Sequence, residues 1–232
     1  MKKAVIFDLD GTLANTLESI AYCTNRALKD HGFSVIEVER FKKFVGNGAR
    51  MQLTRALREV GDREGTARLS EADADGFFTW PEHLEAVLAS YMEYFKKDCM
   101  YRVEPYEGIP ALLAELQKRG IICAVFSNKP HLNTVNVVET LFGRDCFAVI
   151  LGQKESLKKK PAPDGIWKIM NELGLDRSEI LYVGDSSVDM DTGKAAQVET
   201  IGAEWGFRDK EELLQHGADG LVCRPEELLN YL

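Results

Sequence analysis

Lys3-Ala4-Val5-Ile6-Phe7-Asp8-Leu9-Asp10-Gly11-Thr12 sets the reading of this chain. The run from Lys3 to Phe7 is continuously apolar after its first residue, which predicts a short strand covered on both faces, as in a parallel sheet. Asp8 and Asp10 follow it, two residues apart. If the chain stays extended, both carboxylates face one pocket. Gly11 permits a tight bend, and the Thr12 hydroxyl can reach Asp10 or a bound phosphate. A carboxylate that attacks phosphorus forms an acyl phosphate. A second carboxylate can protonate the leaving oxygen and later deprotonate water. Taken alone, the pair also fits a polar turn with an Asp as helix cap; the whole string behind an apolar strand favours the chemistry.

Working outward, comparable runs recur at Ile121–Phe126, Phe147–Leu151, Ile180–Val183, Val198–Ile201 and Gly220–Cys223. Helical spacing separates them, over Ile109–Arg119, Leu132–Phe142, Asp164–Leu173 and Asp189–Ala196. Gly120 stops the first of these helices. The alternation predicts an α/β fold with a doubly wound parallel sheet, Rossmann-like. From Thr16 to Arg102 the alternation fails. Amphipathic helices are expected there over Leu17–His31, Val38–Phe44, Ala49–Val60 and Pro81–Lys97, with a polar, acidic loop over Asp62–Thr79. That interval is too long for a crossover, so residues 16–102 read as an inserted helical domain and residues 1–15 and 103–232 as the core. The joints fall near Asn15–Thr16 and Val103–Gly108.

Three more strand ends carry polar groups, and parallel sheets place their sites at such ends. Ser127-Asn128 offers a hydroxyl and backbone N–H groups to an anion, or a turn into the next helix. Lys129 could join that anion site, but a solvated lysine is the plainer reading. In Lys158-Lys159-Lys160-Pro161, Pro161 restricts Lys160 to an extended conformation. Lys160 is therefore the one to balance a nucleophile's charge, with Lys158 and Lys159 on the surface. Gly184-Asp185-Ser186-Ser187-Val188-Asp189 brings acidic oxygen ligands suited to Mg²⁺, with Asp185 the more direct. Asp189 reads either as a helix N-cap or as a support to the metal.

Composition narrows the partners. The chain has 232 residues, 45% of them hydrophobic, and a formal net charge of −8. An acidic surface repels nucleic acid and anionic membranes. No apolar stretch is long enough to span a bilayer, and the N-terminal apolar run leads straight into acid rather than a cleavage site. The five cysteines are scattered, odd in number and never spaced C-x-x-C, which argues for reduced thiols and a cytoplasmic location. His31, His83, His131 and His216 stand isolated. Phe77, Phe78, Trp80, Tyr91, Tyr94 and Phe95 read as packing of the helical insertion, and Tyr101 and Tyr106 as packing at the joints.

The four strand-end segments, in this order, closely resemble the haloacid dehalogenase superfamily of phosphatases. The resemblance implies Asp8 as nucleophile, Asp10 as general acid and base, and Ser127 and Lys160 as phosphoryl-binding groups. It implies Mg²⁺ held by Asp8, the Asp10 backbone carbonyl and Asp185, with Asp189 supporting. It also implies strand order 3-2-1-4-5 and a helical cap domain. Within the superfamily, Phe44-Val45-Gly46-Asn47-Gly48 before Ala49–Leu57, and Pro105-Tyr106-Glu107-Gly108 leading to Ser127-Asn128-Lys129-Pro130, resemble phosphoglycolate phosphatases. Gly46, Asn47 and Gly48 would offer N–H groups to a small carboxylate, and Arg50 either a charge-assisted bond or a plain helix start. The chain departs from those enzymes at Asn15-Thr16, where Asp-Ser is frequent, and in a longer insertion.

The implied activity is hydrolysis of a small phosphorylated metabolite, with phosphoglycolate leading and pyrophosphate, nucleoside monophosphates and sugar phosphates open. A dehalogenase has no need of Asp10, which serves an oxygen leaving group. A phosphomutase uses the same four segments. A phosphorylated receiver domain is about half this length. The intact catalytic set speaks against an idle binding module. Monomer and dimer both stay open.

Overall fold

The computed structural model describes residues 1–64 and 81–232. They form two units, Met1–Asn15 with Glu104–Leu232, and Thr16–Val103. The chain begins with β1 (Ala4–Phe7) and β2 (Ala14–Asn15). It passes into the second unit as α1 (Leu17–Asp30), a 3-10 turn (Val38–Lys43), α2 (Ala49–Glu64) and α3 (Pro81–Asp98). It returns as β3 (Glu104–Pro105), then α4 (Ile109–Lys118), β4 (Ile122–Pro130), α5 (His131–Phe142), β5 (Val149–Gln153) and α6 (Asp164–Leu173). β6 (Ile180–Gly184), α7 (Ser187–Ala196), β7 (Glu199–Ala203), α8 (Lys210–Gln215) and β8 (Gly220–Val222) complete it.

Six strands build one parallel sheet in the order β5-β4-β1-β6-β7-β8. This is the expected 3-2-1-4-5 with the run at Gly220 added as an edge. β1 is central, and its residues are fully buried because neighbours flank it on both sides. Phe7 pairs with Val125 of β4 and Val183 of β6, so the next residues of all three strands emerge at one end of the sheet. Ile6, Ala124, Phe126, Leu151 and Tyr182 pack against Ile166 and Ile169 of α6. α4 and α5 pack on β4.

Two features depart from expectation. β4 does not end at Phe126: its register shifts beyond that residue and pairing resumes between Pro130 and Gln153. Ser127, Asn128 and Lys129 therefore lie in the irregular continuation of a strand, not in a turn. The second is the antiparallel pair β2–β3, with Ala14 opposite Pro105 and Asn15 opposite Glu104. It joins the points where the chain leaves and re-enters the first unit. Two residues per strand are too few to leave a hydropathy pattern.

In the second unit, α1 and α2 each pack on α3. Ile20, Ala27, Leu28, Phe41, Leu53, Val87, Tyr91 and Phe95 are buried. Gln52 donates to Thr24 Oγ1 at 2.9 Å inside this core. Asn25 bonds both the N–H and the C=O of Ile36, each at 2.8 Å, which fixes the segment after α1. The expected Val38–Phe44 helix is a 3-10 turn. The expected loop from Asp62 begins as helix, since α2 runs to Glu64. The rest of that acidic stretch lies outside the described residues, with Phe77, Phe78 and Trp80.

Gly165 shows how tightly α6 meets the sheet. A Cβ there would fall 2.1 Å from the Phe126 ring, which is itself buried. Gly165→Ala is expected to lower the unfolding free energy by about 1–3 kcal/mol through overpacking. Chemical denaturation checks it; an unchanged midpoint would show that α6 can move away freely.

Candidate active site

The sheet delivers Asp8 from β1, Ser127 to Lys129 from β4 and Asp185 from the end of β6 to its carboxyl end. The N–H of Asp8 still donates to Val183 O at 2.9 Å, so the ladder holds the backbone up to the carboxylate. Asp8, Ser127, Lys129, Lys160, Asp185 and Asp189 are all buried. Burying so many ionisable groups together is costly unless they are paired or hold an ion.

Lys160 lies between two of them. Its Nζ is 2.8 Å from Asp8 Oδ1 and donates to Asp189 Oδ1 at 2.6 Å. Asp8 Oδ1 is in ion-pair contact without a hydrogen bond of good alignment. Tyr182 donates to Asp189 Oδ1 at 2.7 Å, and its hydroxyl lies 3.2 Å from Lys160 Nζ. Burial pushes the Lys160 ammonium down, but the charges of Asp189 and Asp8 outweigh it and hold the pKa above the usual lysine value. For Asp189, burial raises the pKa and the Lys160 charge, with bonds from Lys160, Ser186 and Tyr182, brings it below the ordinary range. Burial raises Asp8 well above that range, and Asp189 adds to the effect. The Lys160 backbone is fixed too: Asn128 accepts from its N–H at 2.9 Å and donates to its carbonyl at 3.1 Å. The Lys160–Pro161 peptide is cis. Lys158 and Lys159 are exposed.

Asp189 is not itself the helix N-cap: α7 starts at Ser187, so Ser186 is the cap. Asp189 closes back on it, accepting from Ser186 N–H at 3.2 Å and Ser186 Oγ at 2.5 Å, the reciprocal half of a capping box. Its other oxygen serves Lys160.

Asp185 is held by Phe207 N–H at 2.7 Å and by the Thr12 hydroxyl at 3.1 Å. The Thr12 hydroxyl thus goes to Asp185 rather than to Asp10. Gly11 has φ +95°, and a Cβ on it would lie 2.2 Å from Asp185 Oδ2; a Cβ on Gly206 would lie 2.2 Å from the Asp185 Cβ. Those glycines let two backbone segments close on one carboxylate. Burial first, then the Asp189 charge, pushes Asp185 up to about 7, against the bonds from Phe207 and Thr12 and the charge of Arg208. Oxygens of Asp8, Asp185 and Asp189 lie within 4.8 Å of one another. This all-oxygen donor set, crowded with like charge, suits a hard divalent cation, which would relieve the repulsion that lifts Asp8 and Asp185.

Asp10 faces Lys129, for which the solvated reading fails and a place in the site holds. Lys129 is buried, and its Nζ donates to Asp10 Oδ1 at 2.7 Å. The lysine turns inward because β4 continues past Phe126 instead of turning away. Ser127 Oγ accepts from the Lys129 N–H at 3.2 Å, so its own O–H is what it can offer an anion. Tyr182 and Trp205 were missed. Trp205 Nε1 donates to the Thr12 carbonyl at 2.9 Å. A tyrosine in the otherwise aliphatic run Ile180–Val183 is the only sequence signal for either.

The remaining candidates belong to the second unit. Gly46 and Gly48 have φ of 117° and 85°, and α2 begins just after them. Asn47 Oδ1 accepts from Arg55 at 2.8 Å, and Arg55 also donates to the Phe44 carbonyl, which ties down the Gly-Asn-Gly bend. Arg50 is exposed and forms a bidentate pair with Glu85, one arm at 2.9 Å.

A sheet of this order with paired strand-end carboxylates and a buried lysine defines a class, and the chain belongs to it: it matches the haloacid dehalogenase-like hydrolases over residues 5–203. It is an enzyme of that family. It is 32% identical over 219 residues to the phosphoglycolate phosphatase of Rhodospirillum rubrum, covering 94% of this chain and 86% of that one. It is 28% identical over 231 residues to the N-acetylmuramic acid 6-phosphate phosphatase of Pseudomonas aeruginosa, covering 99% and 94%. The crystal structure of a Lactobacillus delbrueckii subsp. bulgaricus protein proposed to be a phosphoglycolate phosphatase superposes with a TM-score of 0.90 at 32% identity, covering 100% of this chain and 98% of that one.

The raised carboxylates give a pH dependence of stability. Asp8 and Asp185 bind their protons more tightly folded than unfolded. Between about pH 4, the unfolded value, and about 7 for Asp185, the native state holds more protons, so stability falls as pH rises. Asp189 acts oppositely, but only below the ordinary carboxylate range. In EDTA the protein is therefore expected to melt at a higher temperature at pH 5 than at pH 8. A higher midpoint at pH 8 would contradict this account of the site.

Proposed function

We propose that this enzyme is a Mg²⁺-dependent phosphomonoesterase that works through an aspartyl-phosphate on Asp8 and acts on a small phosphorylated metabolite of the phosphoglycolate kind. The observation that carries the reading is the convergence of Asp8, Lys160, Asp185 and Asp189, all buried, at the carboxyl end of the sheet, in the same segments as Asp10 and Ser127. The relatives named for phosphoglycolate support the substrate class.

In this reading, Asp8 attacks phosphorus in line and forms a P–O bond as the ester P–O bond breaks. Asp10 gives its proton to the departing alcohol oxygen. Lys160 balances the charge of Asp8 as that carboxylate approaches an anion, and the Ser127 hydroxyl holds a phosphoryl oxygen. In the second half, Asp10 takes a proton from water as it attacks phosphorus, and the bond to Asp8 breaks to release phosphate. When bound, Mg²⁺ supplies Lewis-acid neutralisation of the phosphoryl oxygens. Asp8, the Asp10 carbonyl and Asp185 would hold it, with Asp189 in support. Asn128 acts by fixing the Lys160 backbone, and Thr12 by orienting Asp185. The helical unit corresponds to the family's cap, with Gly46, Asn47, Gly48 and Arg50 as its candidates for selectivity. The free cysteines accord with a cytoplasmic enzyme.

Two experiments test this. Asp8→Asn is expected to bring phosphate release from 2-phosphoglycolate below detection with the circular dichroism of the fold retained; an active variant sinks the assignment. Scoring free phosphate against isomerised sugar phosphate excludes a mutase. Independently of activity, Mg²⁺ is expected to raise the melting midpoint of the wild type by stabilising the native state. Asp185→Asn is expected to lose most of that rise. An equal rise in the variant would place the metal elsewhere.

A further inference from the structure

We propose that Lys129 selects the substrate, by binding a carboxylate carried on the carbon next to the ester oxygen. This rests on the phosphomonoesterase reading above and names the substrate class for it: phosphate esters of 2-hydroxy acids.

The position of Lys129 is built, not incidental. Its N–H donates to Ser127 Oγ at 3.2 Å, and its carbonyl accepts from Thr134 Oγ1 at 3.1 Å. A Cβ on Gly152 of the neighbouring strand would lie 2.8 Å from that carbonyl, so the segment has no room to shift. The side chain then runs inward, and only 2% of it is exposed where it meets Asp10. Stability gives no reason for this arrangement, since a buried ion pair is no better than apolar packing of the same volume. The lysine is placed for what it faces.

It faces the leaving group. Asp10 serves the ester oxygen, within a hydrogen-bond reach of about 2.6–3.2 Å. The Lys129 ammonium stands 2.7 Å beyond Asp10 Oδ1. It is therefore beside the alcohol half of the ester, whereas Lys160 lies against Asp8, the atom donor to phosphorus. A carboxylate one carbon from the ester oxygen comes within reach of Lys129; a neutral alkyl group leaves the ammonium with Asp10.

The charges agree. Lys129 stands against Asp10, and Lys160 against Asp8 and Asp189. A phosphorylated hydroxy acid adds one more negative charge than a simple phosphomonoester, on its carbon side. Lys129 is the cation on that side. Arg50, the other cation considered for a carboxylate, is held by Glu85 in a bidentate pair.

The test uses the full chain with Mg²⁺ and two substrates of similar size, 2-phosphoglycolate and ethyl phosphate. The wild type is expected to favour 2-phosphoglycolate in kcat/KM. Lys129→Met is expected to reduce that preference at least tenfold, mainly through KM, and Lys129→Arg to restore part of it. A proportionate loss on both substrates would overturn the proposal and make Lys129 a positioning residue for Asp10. Should Lys129→Met fail to fold, the wild type alone decides: glycolate must inhibit ethyl phosphate hydrolysis competitively where ethanol does not, and absence of inhibition overturns the proposal. A wild type that cleaves both substrates without preference overturns this inference alone. One that releases phosphate from neither overturns the phosphomonoesterase reading and this one with it.

Discussion

One ammonium group, Lys160 Nζ, sits between Asp8 and Asp189 with almost no access to water. Removing one partner from such a buried set costs about 3–5 kcal/mol, because the charge left behind has no solvent to turn to. The fold must therefore deliver three distant segments to one point. The ladder of the central strand carries Asp8 to the carboxyl end of the sheet. Asn128 clamps the Lys160 backbone from β4. The capping box at the start of α7 fixes Asp189 through Ser186, and Tyr182 braces it from below. Each support comes from a different element, so the site reports whether the whole sheet is assembled.

The same arrangement leaves charge unbalanced. Lys160 relieves Asp8 and Asp189 but not Asp185, which lies against two glycine segments and is pushed up to about 7. A protein selected for stability alone would not keep three carboxylate oxygens this close. The strain has a direction: it favours whatever positive charge can enter among Asp8, Asp185 and Asp189, and disfavours the empty, fully ionised site. A cation entering there would be coupled to folding through repulsion that the chain itself cannot cancel.

Legibility from sequence followed the physical range of each signal. Continuous apolar runs are local, so the strands of the main sheet were readable, with ends displaced by a few residues. Lys160 was readable because Pro161 restricts its backbone. Lys129 was left undecided: an apolar strand followed by Ser-Asn-Lys-Pro gives no sign that pairing resumes at Pro130 after a register shift, and that resumption turns the lysine inward. Tyr182 was read only as part of a strand, since its partner Asp189 is fixed by tertiary packing. The β2–β3 pair joins residues almost ninety apart in sequence with two residues on each side, too short to pattern.

These misses share a cause with consequences for selectivity. In the proposed reaction the attacking group, Asp8, sits at a regular strand end, where the backbone geometry is common to any such sheet. Groups that touch the remainder of the substrate must be set by irregular features, because the alcohol half differs from one ester to the next. The broken end of β4 is such a feature. It places a cation beside Asp10 without disturbing Asp8 or Lys160, so in the proposed reaction the leaving-group side can vary while the phosphoryl side stays fixed. Arg50 pairs with Glu85 on the surface of the helical unit, whereas Lys129 is clamped at its backbone and buried at its tip. Preorganisation of that kind keeps the entropic cost of binding low. On the proposal for Lys129, the core sheet, and not only the helical unit, determines which phosphate ester is recognised.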